Sequence, residues 1–593
     1  MNEDSDIKTE INHHETVGTA DGITGGNDLQ RIIWIITAVV VIYGIYQIIS
    51  LAWVGDDAFI SYRYAKNLID GNGLVFNIGE RVEGYTNFLW TIMTAGALYA
   101  GFEPILFTQI ITAASYIITV GLLIIFSIRL SGLKNSGLSF VVPIAALAIL
   151  VQYDYHVWAT SGMETAFVAF LITSAYILMV RGQSRKMYFL SGLILTVAVL
   201  TRPDSMIFYV MGLIFVIIQS RGYRRGIIYY LIPVLLIFVP YWIWRYSYYG
   251  YPFPNTYYAK SIYMSWYSQG LTYLLTYMKT YYILFLLPLV VLAALPRLSI
   301  QFLTRRHFDN EIDRAWFLGI LFIVPYVFYV VRIGGDFMHA RFFIPITPIA
   351  FIFLETAVVC ITKKKDPRII LGMIIVLSVL FRWNHFAYEN AAVSGICDER
   401  TFCPAEEIEQ AKIDGARMKK YIKDSDIVIG FYGGKAMLMY YSEAPMAIEC
   451  QAGLTDEYIA HQPLEERGHI GNEKSATEEY LAERRIHFIA VKTKPLFPNQ
   501  VGVISFEGST LPIKMYDNKI MDELEKYPGI EFVDFPKFLD DYIAGIENIP
   551  EEEFLSNFIS FKNYYFDFNN DPERLAPFIE RAKYFMSRRE NAG

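Results

Sequence analysis

The chain has 593 residues, of which 54% are hydrophobic and only 19% are charged, and its mean hydropathy is +0.31. A soluble protein of this size carries charge on roughly a quarter of its residues, and the 16% of aromatic residues is too high for a disordered chain. The formal net charge of −8 argues against a nucleic-acid-binding protein, which would show a basic face. Composition therefore predicts an integral membrane protein.

Apolar runs fill the first two thirds of the chain. Residues 1–30 are polar, and the run from Ile32 to Trp53 is long enough to span a bilayer and lacks a small-residue cleavage site, so we expect an anchor. Further runs are centred near residues 95, 117, 147, 171, 194, 212, 236, 288, 324, 351 and 377. This pattern predicts about eleven transmembrane helices. The piece at 88–100, which ends at the break Gly101–Pro104, is expected to be short, tilted or half-buried.

The basic residues predict the topology, because Lys and Arg in short loops stay cytoplasmic. They cluster near residues 129–134, 181–186, 221–225, 305–306 and 363–365. We therefore expect a cytoplasmic polar tail over 1–30 and a transmembrane domain over 31–388. The loop 54–90 and a soluble domain over 389–593 are expected on the opposite, extracytoplasmic side.

The part of the chain after residue 388 contains most of the acidic residues and is predicted to be α/β. Helices are expected at 404–423, after Gly433-Gly434 and at 476–485, and strands are expected at 427–431, 446–448 and 488–491. Cys397 and Cys403 lie close together at its start. If this part is extracytoplasmic they can form a disulfide, and two unpaired thiols explain the sequence equally well.

The loop over 54–90 carries the most informative pattern. Asp56 and Asp57 follow the first apolar run directly, and two adjacent carboxylates repel, so that one gains a raised pKa or binds a cation. The alternative is that the pair simply caps a helix over 58–70. The other loops on the same side repeat the pattern, with ionisable groups beside Gly or Pro. Taken singly each is more often a cap or an interfacial anchor, but together they indicate one polar site at this membrane surface.

The same stretches carry a family resemblance. DDAFISYRYAKNLIDGNGLVFNIGERVEGYTNFLW resembles the first external loop of GT-C glycosyltransferases, and within them the terminal β-(1→2)-arabinofuranosyltransferase group. The resemblance continues through SGMET, TRPD, PNTYYAK, GGDFMHARFFIP and AGLTDEYIA, and so covers nearly the whole chain. It implies a GT-C-type α-helical membrane fold with an extracytoplasmic α/β domain.

The resemblance also implies the reaction. The enzyme would move a sugar, arabinofuranose in the group named, from a polyprenyl-phosphate donor to a cell-envelope glycan or glycolipid, with inversion. Asp56 and Asp57 would act as catalytic base, with a divalent cation (Mg²⁺ or Mn²⁺) as an option. The groups expected at the donor phosphate and sugar are Arg63, Glu83, Tyr85, Asn87, Glu164, Arg202, Asp204, Asn255, Tyr257, Lys260, Asp336, His339 and Arg341, and Arg332 is a further cation for the leaving phosphate. Asp456, Arg467 and Lys474 are expected to bind the acceptor.

Three other functions remain open at this stage. They are a lipid-linked glycan ligase, a lipid or glycan transporter, and a non-catalytic envelope scaffold. A transporter needs polar residues near the bilayer midplane. The apolar runs here are nearly free of charge, with Glu355 as the main exception, and this favours the transferase.

Overall fold

The computed structural model describes residues 20–132, 141–220, 224–305, 307–362, 365–386, 392–468, 470–491 and 501–590. Most of the predicted polar tail lies outside these residues, as do parts of the predicted basic loops at 133–134, 221–223, 306 and 363–364.

Helices make up the described chain before residue 381. They are α1 (Ala20–Ser50), α2 (Asp56–Ile69), α3 (Phe88–Tyr99), α4 (Pro104–Gly132), α5 (Ile144–Val151), α6 (Tyr153–Trp158), α7 (Thr165–Arg181), α8 (Arg185–Thr201), α9 (Met206–Gln219), α10 (Arg224–Pro233), α11 (Val239–Tyr249), α12 (Asn255–Ala259), α13 (Tyr267–Thr280), α14 (Leu286–Arg305), α15 (Glu311–Ile333), α16 (Thr347–Ile361) and α17 (Lys365–Leu380). A π-helical turn, Val234–Phe238, joins α10 to α11 into one continuous helix, and short 3₁₀ turns lie at Pro203–Ser205, Tyr282–Phe285 and Ile344–Ile346.

Six helical segments in the described part of the chain are long and apolar enough to cross a membrane. They are Asp28–Ser50, Pro104–Gly132, Arg225–Tyr249, Tyr282–Thr304, Glu311–Ile333 and Ile344–Ile361, and four shorter apolar helices accompany them at Phe88–Tyr99, Thr165–Arg181, Pro203–Gln219 and Pro367–Leu380. Large apolar side chains on their outer faces are open, for example Ile35, Val39 and Ile42 of α1, which are 60–68% exposed. Such a surface fits lipid and not water, so the prediction of a helical membrane protein is confirmed.

The centre of each apolar run predicted from the sequence lies within a helix. The piece predicted to be short is α3, which has 12 residues and ends before the turn at Gly101. At 1.5 Å per residue it is about 18 Å long, which is less than the hydrocarbon thickness of about 30 Å.

The chain after residue 391 mixes helices and strands. Its helices are α18 (Ala405–Ile422), α19 (Ala436–Ser442), α20 (Glu457–His461), α21 (Glu478–Glu483), α22 (Asn518–Glu525), α23 (Phe535–Ala544), α24 (Glu551–Phe561) and α25 (Pro572–Glu590). Its strands are β1 (Ala392–Val393), β2 (Ile396–Cys397), β3 (Val428–Phe431), β4 (Met446–Glu449), β5 (Phe488–Ala490), β6 (Val503–Phe506), β7 (Ser509–Pro512) and β8 (Ile530–Phe532).

These strands form three small sheets. The parallel sheet has the order β4-β3-β5, with Gly430 of β3 opposite Ile448 and Ile489. The antiparallel sheet has the order β7-β6-β8, and β1 pairs with β2. The predicted strands at 427–431, 446–448 and 488–491 all belong to the parallel sheet, whose apolar central strand is buried as expected for this type. The antiparallel sheet is absent from the sequence prediction.

Candidate functional site

Five cationic side chains line one cavity, which we call the cationic cavity, at the junction of the helical bundle and the C-terminal part. Its volume is about 410 Å³. The cations come from separate parts of the chain and are Arg202, Lys260, Arg332, Arg341 and Arg467. Apolar and aromatic side chains form the rest of the wall, among them Ile207, Phe253, Tyr329, Ile333 and Phe342. The cavity thus suits a ligand with an anionic group and an apolar portion.

Carboxylates already balance three of these five cations. The Arg202 guanidinium lies 3.2 Å from Glu164 and 3.0 Å from Asp204. Arg341 lies 3.5 Å from Asp336, and Arg467 pairs with Glu473. Lys260 and Arg332 form no salt bridge with any residue that the structure describes. These two are therefore the cations of the cavity wall that have no carboxylate partner among the described residues.

Asp57 lies beside the cationic cavity. Its Oδ2 is 3.8 Å from Nη1 of Arg341, and its side chain is 28% exposed. It stands in the first turn of α2, directly after the turn at Gly55, whose N–H donates to the Ser161 carbonyl. Asp57 is therefore a carboxylate held near a cation and accessible from solvent, as a general base requires.

A second acid, Glu399, lies near Asp57 and belongs to no predicted motif. Burial is the main cause that raises the pKa of Glu399 to about 8, and the charges of Asp57 and Asp336 contribute to the same shift. The Cys397 thiol, 3.6 Å away, donates to its carboxylate. Glu399 is therefore mostly protonated near neutral pH.

Asp56 differs from Asp57 in its environment. Its side chain is buried, and its two oxygens accept the backbone N–H groups of Ala436 (3.0 Å) and Met437 (2.9 Å) at the start of α19. Burial raises the pKa of Asp56 to about 6 although these two N–H groups lower it. The predicted cap of a helix over 58–70 is replaced by a cap of a different helix, 380 residues along the chain.

Hydrogen bonds from other side chains hold the two carboxylates that pair with Arg202. The Asn87 amide donates to Glu164 (2.9 Å), which faces Arg202, and the Tyr326 hydroxyl donates to Asp204 (3.1 Å). The sequence predicted Asn87 and Glu164 at the donor, and the structure places them behind the cavity wall. They fix Arg202 in place.

The loop that carries Asp336 and Arg341 is held by His339. The His339 ring lies 3.3 Å from Asp154, to which Tyr281 also donates, at 2.5 Å. Its backbone N–H donates to the carbonyl of Cys397 on β2. His339 is thus buried behind the site and does not line the cavity.

Several predicted site residues join the two parts of the chain. Arg63 donates to the carbonyls of Met439 and Ala444, the Asn255 amide donates to those of Gly453, Leu454 and Asp456, and the Lys474 ammonium donates to those of Tyr258 and Ala460. The Asn77 side chain, which the sequence did not single out, pairs with both backbone groups of Ala447 on β4. These groups act in docking.

Two further predicted residues pair with groups of α11. The Glu83 carboxylate forms a buried ion pair of 2.5 Å with Arg245. The Tyr85 and Tyr249 hydroxyls lie 3.1 Å apart. Of the aromatic residues in the loop 247–260, Phe253 and Tyr257 join Lys260 in the wall of the cationic cavity.

Asp456 lines a second cavity, of about 710 Å³, between the loop 80–82 and the C-terminal part. Its carboxylate accepts the Tyr480 hydroxyl (2.7 Å), and Tyr458 stacks on Tyr480 with ring centres 4.2 Å apart. Arg467, predicted with Asp456 at the acceptor, lies instead in the wall of the cationic cavity, and Lys474 lines neither.

The residues present do not fit the divalent cation that the sequence left as an option. No group of three or more His, Cys, Asp or Glu side chains in the described ranges is placed to hold a metal ion. One of the two carboxylates expected to bind it, Asp56, is occupied by the N–H groups of α19.

The disulfide suggested between Cys397 and Cys403 is not formed. All four cysteines, Cys360, Cys397, Cys403 and Cys450, are free thiols. Burial raises the pKa of the Cys397 and Cys403 thiols well above the usual range, with Glu399 adding to the shift. The Cys397 thiol instead lies 3.6 Å from both the Phe337 carbonyl and the Glu399 carboxylate.

Two curated proteins named terminal beta-(1->2)-arabinofuranosyltransferase are similar to this chain. The protein from Mycobacterium tuberculosis is 28% identical over 338 residues, which are 52% of this chain and 53% of that protein. The protein from Corynebacterium glutamicum is 28% identical over 394 residues, which are 59% of this chain and 55% of that protein. The resemblance seen in the motifs is thereby confirmed, and the chain spans about half the length of these curated relatives. No family model matches the chain.

Two solved structures are also similar to this chain. ArnT from Cupriavidus metallidurans bound to undecaprenyl phosphate has a TM-score of 0.43 at 11% identity, covering 70% of this chain and 86% of that one. The oligosaccharyltransferase of Archaeoglobus fulgidus in complex with Zn and sulfate has a TM-score of 0.40 at 11% identity, covering 69% and 62%.

Proposed function

We propose that the protein is a membrane glycosyltransferase that moves a sugar from a polyprenyl-phosphate donor to a cell-envelope glycan or glycolipid. The observation that carries the proposal is the cationic cavity with apolar walls and an accessible carboxylate, Asp57, at its edge. The similarity to proteins named terminal beta-(1->2)-arabinofuranosyltransferase supports arabinofuranose as the sugar.

The donor phosphate binds between Lys260 and Arg332. These are the two cations in the cavity wall with which no described carboxylate forms a salt bridge. A sugar phosphodiester carries one negative charge, and the lipid phosphate that leaves carries up to two. Cations placed at the phosphate therefore stabilise the leaving group more than the bound donor, and this lowers the barrier. Ile207, Phe253 and Phe342 contact the first part of the lipid.

Asp57 removes the proton from the acceptor hydroxyl as the oxygen of that hydroxyl attacks the anomeric carbon of the donor sugar. The new glycosidic bond forms as the bond from that carbon to the phosphate oxygen breaks, and the electron pair leaves with the lipid phosphate. A single displacement of this kind inverts the anomeric centre. Arg341, 3.8 Å from Asp57, orients the carboxylate.

The acceptor lies across the junction of the two parts of the chain. The cavity with Asp456, Tyr458 and Tyr480 offers hydrogen-bonding groups and a stacked pair of aromatic rings, which are the features that bind sugar rings. Asp456 is therefore assigned to the acceptor side of the site.

The proposal places this chemistry on the extracytoplasmic face of the plasma membrane. The basic loops keep the N-terminal tail in the cytoplasm. Residues 31–388 then form the membrane domain, and 389–593 form an extracytoplasmic domain. A reporter enzyme that is active only after export, fused after Gly593, tests this topology, and we expect it to be active. Activity of a reporter that works only in the cytoplasm, fused at the same position, would contradict the topology.

Transfer by purified protein from synthetic polyprenyl-phosphate arabinofuranose tests the reaction, with polyprenyl-phosphate mannose as the second donor. We expect product from the arabinofuranose donor and a loss of at least about a hundredfold in Asp57→Asn. Asp70→Asn is the matched control, since it makes the same change next to the other end of α2, where Asp70 pairs with Lys66. Lipid movement across vesicles without any transfer would identify a transporter instead.

A further inference from the structure

Asp56 and Arg63 contact the two ends of one helix, α19. Asp56 accepts the N–H groups of Ala436 and Met437 at its start. Arg63 donates to the carbonyl of Met439 (2.8 Å) within it and to that of Ala444 (2.6 Å) just beyond its end. The negative group therefore lies at the positive end of the helix dipole and the positive group at the negative end.

The spacing of the two residues matches the length of α19. Arg63 follows Asp56 by seven positions, which is about two turns and about 10 Å along α2. The seven residues of α19 have the same length, so the helices run side by side in the same direction. Phe59, on the same face of α2, packs on Tyr440 and Tyr441 with ring centres 5.7 and 5.6 Å away.

This contact lies beside the proposed base. Asp56 and Asp57 are adjacent in the first turn of α2, so any shift of that turn moves Asp57 relative to Arg341. A further anchor of this turn is the hydrogen bond from the Gly55 N–H to the Ser161 carbonyl, at 3.0 Å. The separation of Asp57 from Arg341 is 3.8 Å, and a shift of about 1 Å away from Arg341 would take the pair beyond salt-bridge distance, a misplacement large enough to lower the rate of reaction.

We infer that Asp56 and Arg63 are positioning residues that clamp α19 at both ends, and that this clamp holds Asp57 in register with Arg341 and the cationic cavity. The acidic pair then divides its work, with Asp57 acting on the acceptor and Asp56 fastening α2 to the C-terminal part. The catalytic half of this inference rests on the proposed transferase function.

Three variants of the full-length protein test the clamp: Asp56→Asn, Arg63→Met and the double variant. Hydrogen exchange of residues 436–442 and 54–60 reports the clamp directly, and transfer kinetics report its consequence. We expect each single variant to raise exchange in both segments at least tenfold. We expect kcat to fall ten- to a hundredfold with KM for the donor unchanged, and the double variant to be no slower than the slower single one.

The pH profile separates positioning from chemistry. Asp56→Asn should keep the acidic limb of the kcat profile, since Asp57 remains, whereas Asp57→Asn should remove it and leave exchange in 436–442 unchanged. If Asp56→Asn does not fold, Arg63→Lys is tested in its place. The kcat of Arg63→Lys should lie above that of Arg63→Met, because a hydrogen-bond donor remains at this position.

Specific results would overturn the clamp. Loss of turnover in Asp56→Asn equal to that in Asp57→Asn, with unchanged exchange, would make Asp56 a catalytic residue. Faster exchange with unchanged kcat would make the contact merely structural. A wild-type protein without transfer activity would remove the proposed function, and exchange in 54–60 and 436–442 would still decide whether the two helices are coupled.

Discussion

The Asp57 carboxylate lies 3.8 Å from the Arg341 guanidinium, which is also 3.5 Å from Asp336. One cation is thus shared by two acids that come from α2 and from the turn after α15. Because Arg341 also lines the cationic cavity, it links the proposed base to the proposed phosphate site. The two halves of the reaction are therefore held by a single side chain.

Removing either unbalanced cation should weaken catalysis. We expect Lys260→Met and Arg332→Met each to lower kcat/KM for the lipid donor by about ten- to a hundredfold, the scale of one charge-assisted hydrogen bond. Lys526→Met is the control, because Lys526 is exposed and pairs with Glu523 on α22. Full activity in both cavity variants would refute the phosphate assignment.

The buried pair of Glu83 and Arg245 should matter for stability. Glu83→Gln leaves a buried guanidinium without its counter-ion, which costs about 3–5 kcal/mol. Thermal unfolding in detergent measures the effect. The comparison is Asp540→Asn, which breaks an exposed pair with Arg574 and should lower stability far less, because solvent screens the two charges. Equal shifts in Tm for the two variants would contradict the burial argument.

Glu449 should make stability depend on pH. Burial raises the pKa of this carboxyl to about 8, although Thr455 donates to it, and its value in the unfolded chain is near 4.5. The native state therefore holds more protons than the unfolded state between these two pH values, so stability falls as pH rises through this window. Glu449→Gln mimics the protonated form. It should raise Tm by a few degrees at pH 9 and leave it unchanged at pH 4; a uniform shift at both pH values would contradict the titration.

The cysteines should react as thiols. In denaturant without reductant, alkylation should add four groups, and in the native protein Cys397 and Cys403 should react slowly because burial raises the pKa of both thiols. Intact mass measures both results. Two additions that become four only after reduction would show that a disulfide forms.

The sequence was sufficient to predict the apolar helices and the three strands that form the parallel sheet. Apolar runs of membrane length and the apolar strand at 427–431 are local signals, and the structure follows both. The antiparallel sheet was missed because the sequences of β6, β7 and β8 mix polar and apolar residues and contain no continuous apolar run like that of β3. Their pairing depends on contacts that no short window contains.

The candidate site was predicted as a set of residues and not as a geometry. Arg202, Lys260, Arg332 and Arg341 do meet in one cavity. Arg63, Asn255 and Lys474 look the same in sequence but bond to backbone carbonyls hundreds of residues away, which composition cannot reveal. The clamp had one local signal, namely opposite charges seven residues apart with Phe59 on the same helical face.

The Asn77 side chain forms two hydrogen bonds with the backbone of Ala447: its amide N–H donates to the Ala447 carbonyl, and its oxygen accepts the Ala447 N–H. A neighbouring strand would pair with Ala447 in the same way. Strand β4 is the outer strand of its sheet, so this single amide closes part of an edge that would otherwise recruit another polypeptide. The two residues are 370 positions apart. At about 5–20 residues per second, roughly 20 to 70 seconds of synthesis separate them, so the early loop must persist in the membrane until the late sheet reaches it. A C-terminal fragment produced alone would have that edge open and should self-associate.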